Sequence, residues 1–145
     1  MADFSSNSLS IDAPASDVMA LLVDIESFPT WSSAIKAVEV LERDGSGKAS
    51  KVKVKVEAGP LKDSATLNYD YSKLPNEISF SLEDADLMTA MDGNYLVKDN
   101  GDDTCTVTYS LHVEVSMPVP EIMRRKAEMG TIDAALGQLK KKIEG

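Results

Sequence analysis

Few side chains in this sequence are equipped for chemistry, and their spacing narrows the choice further. The chain holds one histidine, His112, and one cysteine, Cys105, both within the run CTVTYSLHVEVSM at 105–117. The odd positions of that run are Cys105, Val107, Tyr109, Leu111, Val113, Val115 and Met117. Strict alternation puts one parity against a core and the other toward water. His112 has the even parity, beside Ser110 and Glu114, and so reads as a surface histidine rather than a general base. Cys105 reads as a small buried hydrophobe, because no basic neighbour is at hand to favour its thiolate. A single His and a single Cys leave no His/Cys zinc set. Asp84 and Asp86, and Asp99, Asp102 and Asp103, match no EF-hand spacing and read as turn residues. The glycines fall singly at turns and build no phosphate cradle. No catalytic residue, metal or cofactor is assigned.

What remains is a set of apolar and phenolic groups on alternating runs. Tyr69, Tyr71, Tyr95 and Tyr109 share the inward parity with Val54, Val56, Leu67, Ile78, Phe80, Leu82, Met88, Leu111 and Val113. Seven methionines, Met91, Met117, Met123 and Met129 among them, add soft surface that adapts to irregular shapes. A ligand pocket needs mostly apolar lining with a few polar groups to orient the guest. A filled core with its hydroxyls bonded internally has the same periodicity, so the pattern alone leaves both open.

The elements that must position these groups follow from local signals. Residues 4–12 predict a short strand. Ala13-Pro14-Ala15-Ser16-Asp17 starts a helix, since proline is tolerated in the first turn and an acid suits its positive end. Val18, Leu21, Leu22 and Ile25 give that helix an apolar face. A second short helix follows near Phe28-Pro29-Thr30-Trp31, with Ser27 as a candidate cap. From residue 36 the period becomes two. Strands run through KAVEVLERD, SKVKVKVEA, ATLNYDYSKL, ISFSLED, residues 88–98 and the run at 105–117, with Asp92-Gly93 marking a bulge or a close backbone approach. Turns are expected at 44–47, Gly59-Pro60, Pro75-Asn76 and 99–102. The final helix runs from near Val119 to about Ile143. Ile122, Met129, Leu136 and Ile143 repeat every seven residues, Met123, Ile132 and Leu139 widen the stripe, and Arg125, Glu128, Lys140 and Lys142 lie opposite. Short turns imply an antiparallel meander.

With 145 residues the chain is expected to form one domain, 1–145. Its net charge of −9 disfavours nucleic acid. Basic residues nonetheless gather at Lys48, Lys51, Lys53 and Lys55, at Arg124, Arg125 and Lys126, and at Lys140–Lys142, a candidate dock for transient membrane-surface or protein contact. The opening MADFSSNSLSID has neither a basic start nor an apolar run, and no stretch is long and apolar enough to span a bilayer. A cytoplasmic protein, monomeric or weakly dimeric, is expected.

The opening IDAPASDVMALLVDIESFPTW, with Pro14, Val18, Leu21, Asp24, Pro29 and Trp31 in a fixed pattern, resembles the START-like superfamily. So do the DG of MDGNYLV and the long last strand entering an amphipathic helix. That superfamily takes in polyketide cyclases, lipid-transfer domains and coenzyme-Q-binding proteins, and RRKAE at Arg124–Glu128 is similar to its actinobacterial cyclase-like branch. The resemblance implies an α+β helix-grip fold, a seven-stranded curved antiparallel sheet around the C-terminal helix, with two short helices after the first strand. It also implies a cavity between sheet and helix. The expected lining is Trp31, Val54, Val56, Leu67, Tyr69, Phe80, Leu82, Met88, Tyr95, Tyr109, Leu111, Val113, Met123, Ile132 and Leu136, opening between the last helix and the loops near Gly59-Pro60 and Met88–Met91.

Three functions fit. One is a carrier or sensor of an apolar molecule such as a lipid, quinone or polyketide. Another is a polyketide cyclase or dehydratase using Tyr69, Tyr95 or Tyr109 as proton donors; superfamily cyclases place ionisable groups in the pocket, which the inner face here lacks. A third is an interaction module working through the basic end of the last helix, as ribosome-associated toxins of the superfamily do.

Overall fold

A computed structural model describes residues 4–58 and 61–145. In chain order the elements are β1 (Ser5–Ile11), α1 (Ala15–Val23), a 3-10 turn (Ile25–Ser27), α2 (Phe28–Trp31), β2 (Ile35–Arg43) and β3 (Ala49–Ala58). These are followed by β4 (Leu61–Asp70), β5 (Glu77–Ala85), β6 (Met88–Asp99), β7 (Cys105–Val115) and α3 (Glu121–Glu144). The strands form one seven-stranded sheet in the order β1-β7-β6-β5-β4-β3-β2, with every pairing antiparallel. It is the expected α+β helix-grip arrangement, in which β1 crosses over to pair with β7.

Alternation decides the faces. Val52, Val54, Val56, Leu67, Ile78, Tyr95, Val97, Val107, Tyr109 and Leu111 are all buried on one side, and the cross-strand register keeps them in rows. α1 adds Val18, Met19 and Leu22 to the same core. α3 packs over β1 and β7 and buries Ile132, Ala135, Leu136 and Leu139. α2 touches both β2 and α3, bridging the far edge of the sheet to the helix. Ser33 and Gln138 fasten this junction through two bonds: the Ser33 amide donates to Oε1, and Nε2 donates to the Ser33 hydroxyl.

Gly93 answers the choice between bulge and close approach. The ring of its β5 partner Phe80 lies so near that a Cβ on residue 93 would overlap the ring's Cζ. The register shift in β6 falls instead between Met88 and Ala90. Ser27 occupies the cap position of α2 but does not cap it, because its hydroxyl donates to the Asp24 carbonyl.

Two expectations about polarity are overturned. His112 keeps its even position yet is buried, and Glu128, expected on the wet side of α3, is only 2% exposed. The cause is the sheet edge. β1 pairs with β7 only as far as Ser5 opposite Leu111, so the Val113 N–H lacks a strand partner and donates to Glu128 Oε2 at 2.6 Å instead. Ser5 Oγ donates to Glu128 Oε1 at 2.7 Å, and Arg124 Nη1 lies 2.8 Å from Oε2 and 3.2 Å from His112 Nδ1. Helix and strand end thus close over the histidine. The heptad stripe is also incomplete, since Ile122 and Met123 are exposed while Leu136 is buried. A straight α-helix drifts about 20° per heptad, and at the first turns of α3 the inward position passes to Arg124 and Glu128. Met117 lies beyond the end of β7 and is exposed.

Candidate ligand-binding interior

The concave face of the sheet is organised in rows. One row carries Tyr69, Phe80, Gly93 and Leu111 across β4, β5, β6 and β7. The next carries Ile78, Tyr95 and Tyr109. Tyr95 and Tyr109 are stacked with ring centroids 4.1 Å apart and planes 12° from parallel. Tyr69 lies 5.4 Å from Phe80 and 6.2 Å from Tyr71. Aromatic rings prefer offset contacts at such separations, and the missing side chain at Gly93 makes room for them.

Burial raises the phenol of Tyr109 and pushes those of Tyr69 and Tyr95 well above the ordinary tyrosine value. Tyr71 stands apart, half-buried with its hydroxyl donating to the Ala49 carbonyl at 2.6 Å and its phenol pushed up to about 12, chiefly by burial. At neutral pH these groups are therefore uncharged hydrogen-bonding groups and very weak bases.

Ionisable groups near the interior are committed elsewhere. Asp63, opposite Val56, is buried, and its carboxylate accepts the amides of Ser64, Asp86, Leu87 and Met88 at 2.8–3.1 Å. It pins the β5–β6 turn, a role hidden in the sequence because Asp86, Leu87 and Met88 lie more than 20 residues from the acid. Glu128 is held by Ser5, Val113 and Arg124 as described above. Cys105 is buried, and its thiol is raised first by that burial and then by Asp99. Among the described residues, no cluster of His, Cys, Asp and Glu is arranged to hold a metal ion.

Ten of the fifteen expected lining residues are buried: Val54, Val56, Leu67, Phe80, Met88, Tyr95, Tyr109, Leu111, Ile132 and Leu136. Trp31, Tyr69, Leu82 and Val113 are partly buried against that core, and Met123 is 60% exposed near the start of α3. Trp31 packs edge-on to Phe28 with centroids 5.1 Å apart. Its indole Nε1 is shielded from solvent and, among the described residues, is the buried side-chain N or O without a hydrogen-bond partner.

Among the recesses that open on the surface, two border expected lining residues. One of about 560 Å³ lies at the end of β4, among Asp44, Lys48, Asp70, Tyr71 and the outer part of Tyr69. The other, of about 430 Å³, is bordered by Val56, Asp63, Leu87, Lys36 and Lys55. Neither is bordered by α3, Tyr95 or Tyr109. The second lies beside the expected opening at Met88–Met91, whereas Gly59-Pro60 falls outside the described residues. No described helix is long and apolar enough to cross a membrane.

Comparison with known proteins agrees with this geometry. The family model described as polyketide cyclase/dehydrase and lipid transport matches residues 11–140. A START superfamily protein from Mycobacterium smegmatis superposes with a TM-score of 0.92 at 24% identity, covering 97% of both chains. The Zhui aromatase/cyclase from Streptomyces sp. R1128 superposes with a TM-score of 0.77 at 15% identity, covering 99% of this chain and 96% of that one. A protein from Thermus thermophilus gives 0.80 at 16% identity, with 98% and 97% covered. At these identities the structures share the fold. A search of curated proteins found no match.

Proposed function

Because the chain belongs to the polyketide cyclase/dehydrase and lipid-transport family, we propose that it holds an apolar small molecule between its curved sheet and α3, as a carrier or sensor. The observation that supports this best is the pairing of an aromatic, phenol-bearing concave face with acids that are already spent on backbone amides. Tyr95 and Tyr109 offer neutral polar contacts, while Asp63 and Glu128 are occupied structurally. Such a surface orients a guest without transforming it. Affinity would come from apolar burial, at about 25 cal/mol per Å² before the costs of ordering. A cytoplasmic, monomeric or weakly dimeric protein fits this role.

Native mass spectrometry after gentle purification tests the reading, together with displacement of a fluorescent dye by quinones and fatty acids. A co-purified small molecule or saturable displacement is expected. An apo spectrum with no displacement would overturn it.

The stacked Tyr95–Tyr109 pair favours a second reading, a cyclase or dehydratase in which a neutral phenol protonates an enolate. That reading requires Tyr→Phe at 69, 95 or 109 to lower turnover while the fold survives. The interaction-module reading loses ground, since Arg124 is paired with both Glu121 and Glu128. Charge reversal there would break the fold's own network as well as any docking surface.

A further inference from the structure

The first turns of α3 meet the sheet through polar side chains. Apolar anchoring of the helix begins at Met129 and Ile132. Ahead of them Ile122 and Met123 are exposed, the helix start has no side-chain cap, and the inward positions belong to Arg124 and Glu128. Both of these reach His112. Arg124 Nη1 lies 3.2 Å from the ring's Nδ1, and Glu128 Oε2 lies 3.8 Å from the same nitrogen. Glu114 Oε2 is 3.4 Å from Nε2. Among the other described groups around the ring, Asp92 is its cross-strand partner on β6, and Phe4, just ahead of β1, packs on it with centroids 5.8 Å apart. The contact with Arg124 fixes where the ring carries its hydrogen. A guanidinium has donors and no acceptor, so Nδ1 accepts and the hydrogen sits on Nε2, on the side of Glu114.

We propose that this cluster is a proton-operated latch, in which a proton taken from solvent at His112 Nδ1 displaces Arg124 from Glu128 and frees the first turn of α3. A protonated Nδ1 has a hydrogen of its own and no longer accepts the guanidinium, and two cations would then stand 3.2 Å apart. The surroundings decide which of them moves. The His112 side chain is 7% exposed and, once charged, has the carboxylates of Glu128, Glu114 and Asp92 around it. Arg124 is 18% exposed and already approaches Glu121 at 3.7 Å on the wet side of the helix. The guanidinium is therefore the group that leaves. Glu128 keeps the Val113 amide and takes the Nδ1 hydrogen in place of Arg124. What is lost is the tie between residue 124 and β7. That tie seats an uncapped turn in which the amides of Met123 and Arg124 both donate to the Pro120 carbonyl at 3.0 Å.

The chain has a single histidine, so one set of ring signals reports on it. The full chain, labelled with nitrogen-15, is followed from about pH 8 to about pH 5, the span in which an imidazole ordinarily changes charge. A long-range proton–nitrogen spectrum reads the ring, and rapid hydrogen-exchange measurements read the amides of Met123, Arg124 and Val113. The Nε2–H tautomer is expected at the alkaline end. As the ring protonates, protection at Met123 and Arg124 should fall roughly 10-fold with the ring's own midpoint, the effect of losing one hydrogen bond to a charged group. Val113 and residues 132–139 should keep their protection. His112→Gln offers Arg124 a carbonyl without a titrating proton, and its helix start should be insensitive to pH over this span. The Nδ1–H tautomer, a ring that stays neutral throughout in the folded chain, or a helix start that does not follow the ring would each overturn the latch. So would equal loss of protection at Val113, or an unchanged pH dependence in the glutamine variant. The tautomer and the coincidence of midpoints are read on the unaltered protein, so they decide even if the variant fails to fold.

Discussion

The ring of Phe80 rests on the backbone of Gly93, its cross-strand partner, at a separation that no side chain on residue 93 could share. The contact lies in the row that joins Tyr69 to Leu111, so it shapes the concave face as well as packing it. Gly93→Ala is expected to push the ring out and to destabilise the protein by about 1–3 kcal/mol, the usual cost of overpacking. Thermal unfolding measures the loss. Phe80→Leu combined with Gly93→Ala should recover part of it, and additivity in the double mutant would contradict the contact.

Glu128 replaces the missing strand partner of Val113 and holds Arg124 in the same grip. Glu128→Ala would strand a backbone N–H and a half-buried guanidinium. A loss of about 2–4 kcal/mol is expected, reduced from the fully buried case because Arg124 can turn toward water. Faster amide exchange at Val113 should accompany it. A change below about 0.5 kcal/mol would mean that the edge is closed by other groups.

Asp63 ties the β5–β6 turn to β4 through the amides of Asp86, Leu87 and Met88. Asp63→Ala is expected to cost about 2–4 kcal/mol and to speed hydrogen exchange at residues 86–88 above that of the neighbouring strands. Uniform acceleration over the whole sheet would point to global loosening instead.

The buried phenols set the alkaline limit. Below pH ~10 folded and unfolded chains both keep their tyrosines protonated. Above it the unfolded chain ionises, while burial keeps Tyr69, Tyr95 and Tyr109 protonated in the fold. Each such group then lowers stability by up to about 1.4 kcal/mol per pH unit as pH climbs from ~10 toward the raised folded value. In a tyrosinate absorbance titration Tyr71 should ionise at about 12 and the other three only as the chain unfolds. Tyr95→Phe should flatten the alkaline limb of stability, and an unchanged slope would argue against its burial.

Element order was legible because period-two runs such as Val52-Val54-Val56 and turn residues such as Asn100-Gly101 are local signals. The inward parity of all four tyrosines was legible for the same reason. His112 and Glu128 were not. Alternation says which side of a sheet a residue leaves from, and the heptad says which side of a helix. Neither says that β1 stops opposite Leu111 and that the helix then closes over the exposed edge. Trp31 could be placed in the candidate lining by its pattern, but an indole's lack of a partner is a property of every group around it.

Local chemistry written along the chain determines the strands, the helices, their wet and dry faces and the family to which they belong. Contacts between residues more than a hundred positions apart, such as Ser5 with Glu128 and Ser33 with Gln138, exist only once the sheet has curled. Those contacts decide which polar groups are spent and which are left without a protein partner. Hydrogen-bond satisfaction is a sum over neighbours in space, and a sequence orders its residues only by neighbours along the chain.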